Sequence, residues 1–366
     1  MAMTKMWDVI VVGGGVFGLS CALACQARGL SVRLFEAKAI GAGASGGIVG
    51  ALSPHVPDHW NAKKAYQFSA LNAAQAYWHA IEARSGLPTD FARSGRLLPL
   101  FDNNGVELAQ TRTLSSRDLW EGKASWQVLP ASDVPSWLKG PFKGVVHETL
   151  SARLMPRLAV KAMAQAFQAQ GGTLDEGCPV DGVEDGEVSG PWGTARASAV
   201  VLAHGVEGLA WLGAHTGRRA GSPVKGQAIL LDAPQFKSRP LIYADGLFVI
   251  PHDGGQVAIG STSENSFENP TSTDAQLDTL RARSEALCPE LTGAQVLTRW
   301  AGLRPKAKRR DPMLGLAPGF ERVFLANGAF KIGFGLAPKV GETLADMITG
   351  RAVELPESFT PEWHLG

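Results

Sequence analysis

Apolar and polar positions near the N-terminus follow two different periods, and together they predict a strand, a helix and a second strand. Residues 9–12 are an unbroken apolar run after Asp8, as expected for a strand buried on both faces. A compact helical segment at 19–28 follows and is stopped by Gly29, and a second strand is predicted at 31–35. The pattern therefore predicts a βαβ unit over residues 8–36.

The rest of the chain alternates between helical and strand-like stretches. Helices are predicted at 60–85, 106–119, 155–170, 273–287 and 339–349, and strands at 178–183, 197–203, 228–231, 247–250, 257–260 and 323–325. Short apolar runs between residues 86 and 144 are typical of an antiparallel region, and from Trp300 the pattern returns to a nucleotide-binding type. We predict an α/β protein whose Rossmann-type dinucleotide-binding domain comprises 1–86, 150–215 and 300–366, with an α+β substrate domain containing an antiparallel sheet at 87–149 and 216–299.

The turn at residues 13–18 reads Gly-Gly-Gly-Val-Phe-Gly and matches the pattern G-x-G-x-x-G. Gly13 permits a tight turn, Gly15 lets a pyrophosphate approach the backbone, and Gly18 lets the helix pack closely on the strand. The helix N-terminus offers free N–H groups and a positive dipole end to the phosphates. Glu36 is placed to accept hydrogen bonds from an adenosine ribose. The unit predicts dinucleotide binding, but by itself it does not separate FAD from NAD.

Composition narrows the class of protein. The 366 residues are 45% hydrophobic and 19% charged, which is typical of a globular enzyme of about two domains. The formal net charge is +1, so no nucleic-acid partner is expected, and the basic cluster at 306–310 is interpreted as a solvated loop. The four cysteines lack metal-ligand spacing, so we predict no metal site and no disulfide framework, as in a reducing compartment.

The apolar run at the N-terminus imitates a secretory signal. Asp8 and the glycines of the turn interrupt the continuous helix-forming block that such a signal requires. No apolar run is long and glycine-free enough to span a bilayer. The sequence therefore predicts a cytoplasmic protein that is not integral to a membrane.

Three further stretches carry candidate ligand contacts. The many small residues of 37–50 predict backbone lying against a ligand, with Ala44 and Ser45 able to hydrogen-bond phosphate or ribitol; the alternative is a flexible loop. Val180 is expected beside the adenine. His204, which follows a buried strand, is interpreted as a histidine packed near the cofactor, with a catalytic base as the alternative.

Several motifs taken together resemble the D-amino-acid oxidase and glycine oxidase family of FAD-dependent amine oxidoreductases. The resemblance covers nearly the whole chain and rests on 8–36, Ala44-Ser45 with Gly50, 201–205, 246–262, Trp300-Ala301-Gly302-Leu303-Arg304-Pro305, Asp311-Pro312 with Gly315, and 327–338. It favours FAD over NAD. It implies a Rossmann-type FAD-binding domain and a substrate domain with the isoalloxazine ring between them.

The resemblance also implies site residues. Arg304 is expected to bind the substrate carboxylate, a role that suits a permanently charged, planar guanidinium; the alternative is a surface salt bridge. Residues 329–335 are expected to run along the flavin. The cofactor-binding residues implied are Gly13, Gly15, Val16, Phe17, Gly18, Glu36, Ala37, Ala44, Ser45, Gly50, Ala51, Leu52, Val180, Ala203, Gly205, Gly302, Ala329, Phe330, Ile332, Gly333, Phe334 and Gly335.

The chain departs from the family pattern at three positions. Lys331 stands where glycine oxidases carry a second arginine, and it keeps the charge but loses the bidentate geometry. Phe248 stands where such enzymes place an aromatic hydroxyl, and His252 replaces the usual basic residue. We predict a catalytic site of Arg304, Lys331 and Phe248, acting on an amine that differs from glycine or is larger.

The implied activity is FAD-dependent oxidative deamination of a small amino acid or secondary amine, by hydride transfer to flavin N5. Dioxygen would be the acceptor, with release of H2O2. Alternatives of the same fold are a flavin dehydrogenase that passes electrons to a quinone or another acceptor, and an enzyme that oxidises a 2-hydroxy acid. The lack of a basic stripe disfavours a flavoprotein acting on tRNA, and Arg304 disfavours a non-catalytic flavin scaffold. A homo-oligomer is left open.

Overall fold

The computed structural model describes residues 6–366. Its strands are β1 (Met6–Val12), β2 (Val32–Phe35), β3 (Ala51–Leu52), β4 (Arg96–Leu100), β5 (Trp126–Pro130), β6 (Gly144–Glu148), β7 (Ala152–Arg153), β8 (Thr173–Asp175), β9 (Gly182–Glu184), β10 (Glu187–Gly190), β11 (Gly193–Leu202), β12 (Gly221–Asp232), β13 (Leu241–Ala244), β14 (Leu247–Pro251), β15 (Gln256–Gly260), β16 (Val296–Ala307), β17 (Met313–Leu316) and β18 (Val323–Asn327). Its helices are α1 (Val16–Gln26), α2 (Ala62–Ser85), α3 (Asn103–Leu119), α4 (Pro156–Ala169), α5 (Gly205–Thr216), α6 (Gln276–Leu287), α7 (Gly333–Ile348) and α8 (Pro361–Leu365).

The first sheet has a parallel centre in the order β18-β11-β1-β2-β8, with β17 antiparallel at one edge and the β9–β10 hairpin extending β11. Alternate residues of β1 enter different layers. Val9 and Val11 pack with α1, α2, α4 and α7, while Ile10 and Val12 pack with α5. Because both faces are covered, the strand is apolar throughout. This is the doubly wound arrangement predicted for dinucleotide binding.

The second sheet has the order β16-β12-β15-β14-β13-β4-β6-β5 and is antiparallel except where β13 meets β4. Its two faces have different neighbours. Ile229 and Leu231 of β12 pack with α6, whereas Ala228 and Leu230 pack with Ile48 of the loop that precedes β3. The second face therefore lies against the loop of small residues, which brings that loop to the substrate sheet.

The expected domain boundary at residue 300 falls inside β16. This strand pairs with β12 without interruption from Trp300 to Ala307, in the second sheet. We therefore propose that the third segment of the FAD-binding domain starts close to residue 308, and we keep the other proposed boundaries as given above.

Several predicted elements are wrong in extent; β12, for example, starts at Gly221 and not at residue 228. The stretch 178–181 is irregular, and only Gly182–Glu184 forms a strand there. The final helix starts at Gly333, not at residue 339, although Gly335 and Pro338 disfavour a helix. Tertiary packing outweighs that preference, because a Cβ on Gly335 would come within 3.3 Å of the Leu71 side chain on α2.

The described chain, residues 6–366, contains no helix with both the length and the apolar content needed to cross a bilayer. Nor do three or more His, Cys, Asp or Glu side chains of that part converge on a point where they could hold a metal ion.

Candidate active site

The glycine turn between β1 and α1 is packed so tightly that larger residues would not fit. An added Cβ on Gly18 would lie 1.9 Å from the Gly13 carbonyl oxygen. A Cβ on Gly13 would lie 2.7 Å from the Ala203 carbonyl oxygen, and the φ of Gly13 is +109°. Gly15 differs, because the atom nearest to an added Cβ there is the Ser45 hydroxyl oxygen at 3.3 Å. Gly13 and Gly18 therefore shape the turn, and Gly15 leaves its outer side open.

The N-terminus of α1 faces the loop of small residues. Ser45 Oγ accepts a hydrogen bond from the Val16 N–H at 3.0 Å, so the hydroxyl lies where a phosphate oxygen would be bound. Ala44 and Ser45 belong to a single 3-10 turn. Gly50 passes very close to the segment before α4, because a Cβ on it would lie 1.9 Å from the Leu154 carbonyl oxygen. Ala51 and Leu52 form β3, which pairs with β7.

Glu36 lies beside the same turn. Its Oε2 accepts the Gly14 N–H at 2.7 Å, and its Oε1 accepts the Lys38 N–H at 2.9 Å. The Glu36 carbonyl accepts the Cys178 N–H at 2.9 Å, which draws the segment containing Val180 to the end of β2. The acid and Val180 therefore lie on neighbouring segments. Ala37 is solvent-exposed.

A second helix N-terminus, that of α7, approaches the first. A Cβ on Gly333 would lie 3.1 Å from Ala329 Cβ and 3.4 Å from a methyl group of Val16 on α1. The preceding turn is tied to β16, because the Phe330 N–H donates to the Pro305 carbonyl at 3.1 Å. Ile332 is the residue from which α7 starts, and Phe334 packs inward against Trp78 with ring centroids 6.2 Å apart.

Arg304 lies on β16, one residue before this tether, and is 9% exposed. Its Nη1 donates to the Thr262 carbonyl at 3.2 Å, and its Nη2 donates to Ser261 Oγ at 2.8 Å. Among residues 6–366 no carboxylate oxygen lies within 4 Å of its guanidinium nitrogens, so the side chain has no ion pair. Burial lowers the pKa of Arg304 to about 10, against an opposing influence of Glu264. A buried cation without an ion-pair partner is a ready site for an anion.

Lys331 follows Phe330 in the turn that is tethered beside Arg304. Partial burial and repulsion from Arg304 and Arg310 lower the pKa of Lys331, although much of the side chain stays accessible. Its Nζ lies 5.5 Å from the centroid of the Phe330 ring. Lys331 and Arg304 therefore lie on neighbouring segments, close enough for the charge of Arg304 to affect Lys331.

Phe248 lies in a row of residues that crosses the second sheet on the face toward the small-residue loop. The row, read strand by strand from cross-strand pairs, is Tyr243, Phe248, Gly260, Ala228 and Trp300. The rings of Tyr243 and Phe248 are 4.6 Å apart between centroids. A Cβ on Gly260 would lie 2.6 Å from Val49, and the Trp300 ring covers Gly302. The structure thus places Phe248 and Gly302 on the face that carries Arg304.

Of the histidines singled out in the sequence, His252 is buried and His204 is partly buried. His204 immediately precedes α5, and the carbonyl of the next residue, Gly205, accepts a hydrogen bond from Asn327 Nδ2 at 2.9 Å. Burial lowers the pKa of His204 to about 4, so the ring is neutral at pH 7, and its Nδ1 has no hydrogen-bond partner among residues 6–366. This environment agrees with a packed histidine. His252 Nδ1 instead pairs with the Asp90 carboxylate, 2.5 Å away.

Comparison with known proteins decides the family. The model of the DAO family, described as FAD dependent oxidoreductase, matches residues 8–347. The chain belongs to this family of FAD-dependent oxidoreductases. The predicted cofactor, FAD, and the predicted fold are therefore confirmed. The protein is an oxidoreductase acting on CH–NH2 or CH–NH donors.

The relatives are similar over their whole length. Glycine oxidase of Pseudomonas putida KT2440 is 30% identical over 98% of this chain and 99% of its own, and glycine oxidase of Pseudomonas aeruginosa PAO1 is 32% identical with the same coverage. Among solved structures, glycine oxidase from Geobacillus kaustophilus has a TM-score of 0.88 at 24% identity, over 99% of this chain and 100% of that one. The structural likeness shows that the fold is shared.

The residues at hand fit FAD. The turn has an open side at Gly15, a helix N-terminus at Val16, a hydroxyl at Ser45 and an acid at Glu36, which is the donor and acceptor set a flavin adenine dinucleotide needs. Sequence reasoning did not find Ser261 and Gly226 as neighbours of Arg304. No local signal marks them, because each meets the guanidinium only through strand register.

Proposed function

We propose that this DAO-family enzyme oxidises a small amino acid or secondary amine whose carboxylate is bound by Arg304. The observation that carries the proposal is the buried guanidinium of Arg304, which two neutral acceptors hold and no carboxylate among residues 6–366 neutralises. Leaving such a charge unpaired is costly, so a ligand carboxylate stabilises the site. The full-length likeness to glycine oxidases supports an amino acid as the substrate class.

Each residue has a role in orientation. Thr262 and Ser261 use one N–H each on two guanidinium nitrogens, so Arg304 keeps further donors for the two oxygens of a carboxylate. Lys331 adds a second positive charge at the mouth of the site, and the rings of Phe248 and Tyr243 give an apolar wall. Fixing the carboxylate fixes the neighbouring carbon, which shortens the search for a reactive geometry.

The cofactor set consists of Gly13, Gly15, Val16, Gly18 and Ser45 at the first turn. Glu36 and Val180 are proposed at the ribose and adenine, and residues 329–335 with Gly302 along the ring. When bound, FAD supplies the acceptor for a hydride from the carbon that bears the amine, with dioxygen as the final oxidant and H2O2 as product. The oxidised substrate, an imine, is hydrolysed by water to an oxo acid, with release of ammonia from an amino acid or of a smaller amine from a secondary amine.

The test is Arg304→Met, compared with Arg299→Met. Arg299 lies on the same strand and is paired with Asp278 at its surface, so it is a matched control. In a screen of amino acids and N-alkyl glycines, we expect Arg304→Met to retain FAD and to lose about 100-fold in kcat/KM, as for a charge-assisted pair. Unchanged kinetics would remove Arg304 from the substrate site.

The electron acceptor is tested separately. The proposed oxidase reaction yields one H2O2 per substrate oxidised in air-saturated buffer. Turnover that needs a quinone or an artificial acceptor, with little peroxide in air, would instead favour the dehydrogenase alternative. The cytoplasmic location and a homo-oligomeric state stay predictions.

A further inference from the structure

Behind Arg304, a set of polar side chains surrounds an ion pair that the proposed reaction does not use. Lys225 Nζ lies 3.6 Å from Glu264 Oε2 and 4.0 Å from Asp274 Oδ2, and the Lys225 side chain is only 4% exposed. Gln227 Nε2 donates to Glu264 Oε1 at 3.1 Å and to Asp274 Oδ2 at 2.8 Å. The Thr262 hydroxyl also donates to Glu264 Oε1. A buried lysine and glutamate with this many contacts form a defined unit.

The same segment supplies the two groups that hold the guanidinium. Lys225 and Glu264 exchange two backbone hydrogen bonds of 2.9 Å each. The Thr262 N–H donates to the Gln227 carbonyl, and the Gln227 N–H donates to the Thr262 hydroxyl oxygen. These hydrogen bonds hold residues 261–264 alongside β12. The Ser261 hydroxyl and the Thr262 carbonyl, which accept from Arg304, take their positions from this fastening.

The ion pair and the guanidinium occupy opposite faces of the sheet. Val224 is the cross-strand partner of Arg304, and Gly226 lies under the guanidinium, so these residues mark one face of β12. Lys225 and Gln227 alternate with them and point to the other face. Glu264 still lies near Arg304, because Thr262 contacts both: its carbonyl accepts from Arg304 Nη1 at 3.2 Å and its hydroxyl donates to Glu264 Oε1. The negative charge of Glu264 also opposes the lowering of the Arg304 pKa by burial. The charge of Glu264 is therefore felt at the substrate site.

We propose that the Lys225–Glu264 pair is a positioning unit for Arg304. In this unit Lys225 neutralises Glu264, so that the guanidinium charge of Arg304 is left for the substrate carboxylate. This inference rests on the proposed role of Arg304. Without Lys225, the negative charge of Glu264 would act on Arg304 across the thickness of one strand. Arg304 would then attract an incoming carboxylate less strongly, because charges interact more strongly in a site that is partly shielded from water.

The proposed role predicts in which direction carboxylate affinity changes in each variant, which a merely structural role does not. Lys225→Met leaves Glu264 uncompensated and should weaken carboxylate binding by about tenfold. Glu264→Gln keeps an acceptor for the Thr262 hydroxyl but removes the charge, so binding should stay within about twofold or become tighter. The double variant Lys225→Met/Glu264→Gln loses one charge of each sign and so keeps the net charge of the wild-type cluster, and acetate affinity should return to within about threefold of the wild type.

The experiment titrates the FAD-loaded protein with acetate at pH 8 and constant ionic strength. Binding is followed by the visible absorbance of the flavin and by calorimetry. Lys306→Met is the control, because this lysine lies on β16 and its ammonium group donates to the neutral side chain of Asn265 at 3.1 Å. Steady-state kinetics with the best amine substrate should show the Lys225→Met effect in KM, with kcat changed by less than about threefold.

Each outcome is decisive. Acetate affinity that is unchanged in Lys225→Met, or that is not recovered in the double variant, overturns the inference. If Lys225→Met does not fold, Lys225→Gln takes its place, because it also removes the charge but can hydrogen-bond Glu264, and the same loss and the same recovery in the double variant are expected. A tenfold loss of affinity in Glu264→Gln also overturns the inference, because Glu264 would then support Arg304 rather than oppose it. If wild type and Arg304→Met bind acetate equally, the proposed carboxylate site itself fails and the inference falls with it. All the other results that overturn the inference leave the proposed function standing.

Discussion

The guanidinium of Arg304 lies directly on the α-carbon of Gly226, on the neighbouring strand. A Cβ added to Gly226 would be 1.9 Å from Nη2 and 2.2 Å from Cζ. Gly226 pairs with Gly302 across the two strands, two residues before Arg304. The absence of a side chain at Gly226 leaves the space that the guanidinium occupies, whereas the Trp300 ring fills the space over Gly302.

Gly226→Ala should therefore displace the guanidinium without touching the cofactor turn. We expect KM for the amine substrate to rise by about tenfold, as for a site that is overpacked by one methyl group, while FAD content stays normal. The measurement is steady-state kinetics with the flavin-to-protein absorbance ratio. Gly254→Ala is the control, since the nearest atom to its added Cβ is 4.0 Å away. A normal KM for Gly226→Ala would show that Arg304 works from another position.

Gly18→Ala should act on the cofactor instead. The added methyl group would lie 1.9 Å from the Gly13 carbonyl oxygen, so α1 must move away from the turn. We expect the affinity for FAD to fall by about tenfold or more, measured by flavin titration of the apoprotein. Gly213→Ala, in α5, is matched, because its nearest neighbour at 3.4 Å is an ordinary contact. Equal FAD affinity in both variants would contradict the assignment of this turn.

Lys331→Met should lower kcat/KM for carboxylated amines by about three- to fivefold, because an accessible charge contributes about 0.5–1 kcal/mol. Lys331→Arg should restore the value, and Lys237→Met, at an exposed distant position, should have no effect. Partial burial and the neighbouring Arg304 and Arg310 lower the pKa of Lys331. Its contribution should therefore fade at a lower pH than that of an ordinary lysine. An identical loss of kcat/KM for amines without a carboxylate would show that Lys331 does not interact with the substrate carboxylate.

His204 should make the fold sensitive to acid. Burial lowers the pKa of His204 to about 4, whereas a histidine in an unfolded chain titrates near 6.5. As the pH falls below about 6.5 the unfolded state takes up the proton first, so stability is lost between about pH 6.5 and 4, by about 2 kcal/mol at pH 5. His204→Gln should show a smaller drop in Tm than the wild type between pH 7.5 and 5. Equal drops would mean that His204 titrates normally.

The glycine turn could be read from the sequence because its function is local. Gly13, Gly15 and Gly18 act through the backbone of a single turn, and Glu36 ends the next strand of the same βαβ unit. The chain carries these constraints within about 30 residues, where propensity and periodicity are informative. The final helix shows the limit of such reasoning, because Gly335 and Pro338 lie inside α7 where packing against α2 stabilises them.

By itself, the sequence determined the dinucleotide turn, the alternation of strands and helices, the choice of FAD through its combined motifs, and Arg304 as the candidate cation. Only the tertiary structure decided what Arg304 touches: Gly226 beneath it, Ser261 and Thr262 around it, and the Lys225–Glu264 pair behind the sheet. These partners come from two separate segments, β12 and the loop 261–264. Their meeting depends on the register of β12 with β16 and on the path of 261–264, and the cross-strand pairings that set both join residues far apart in the chain.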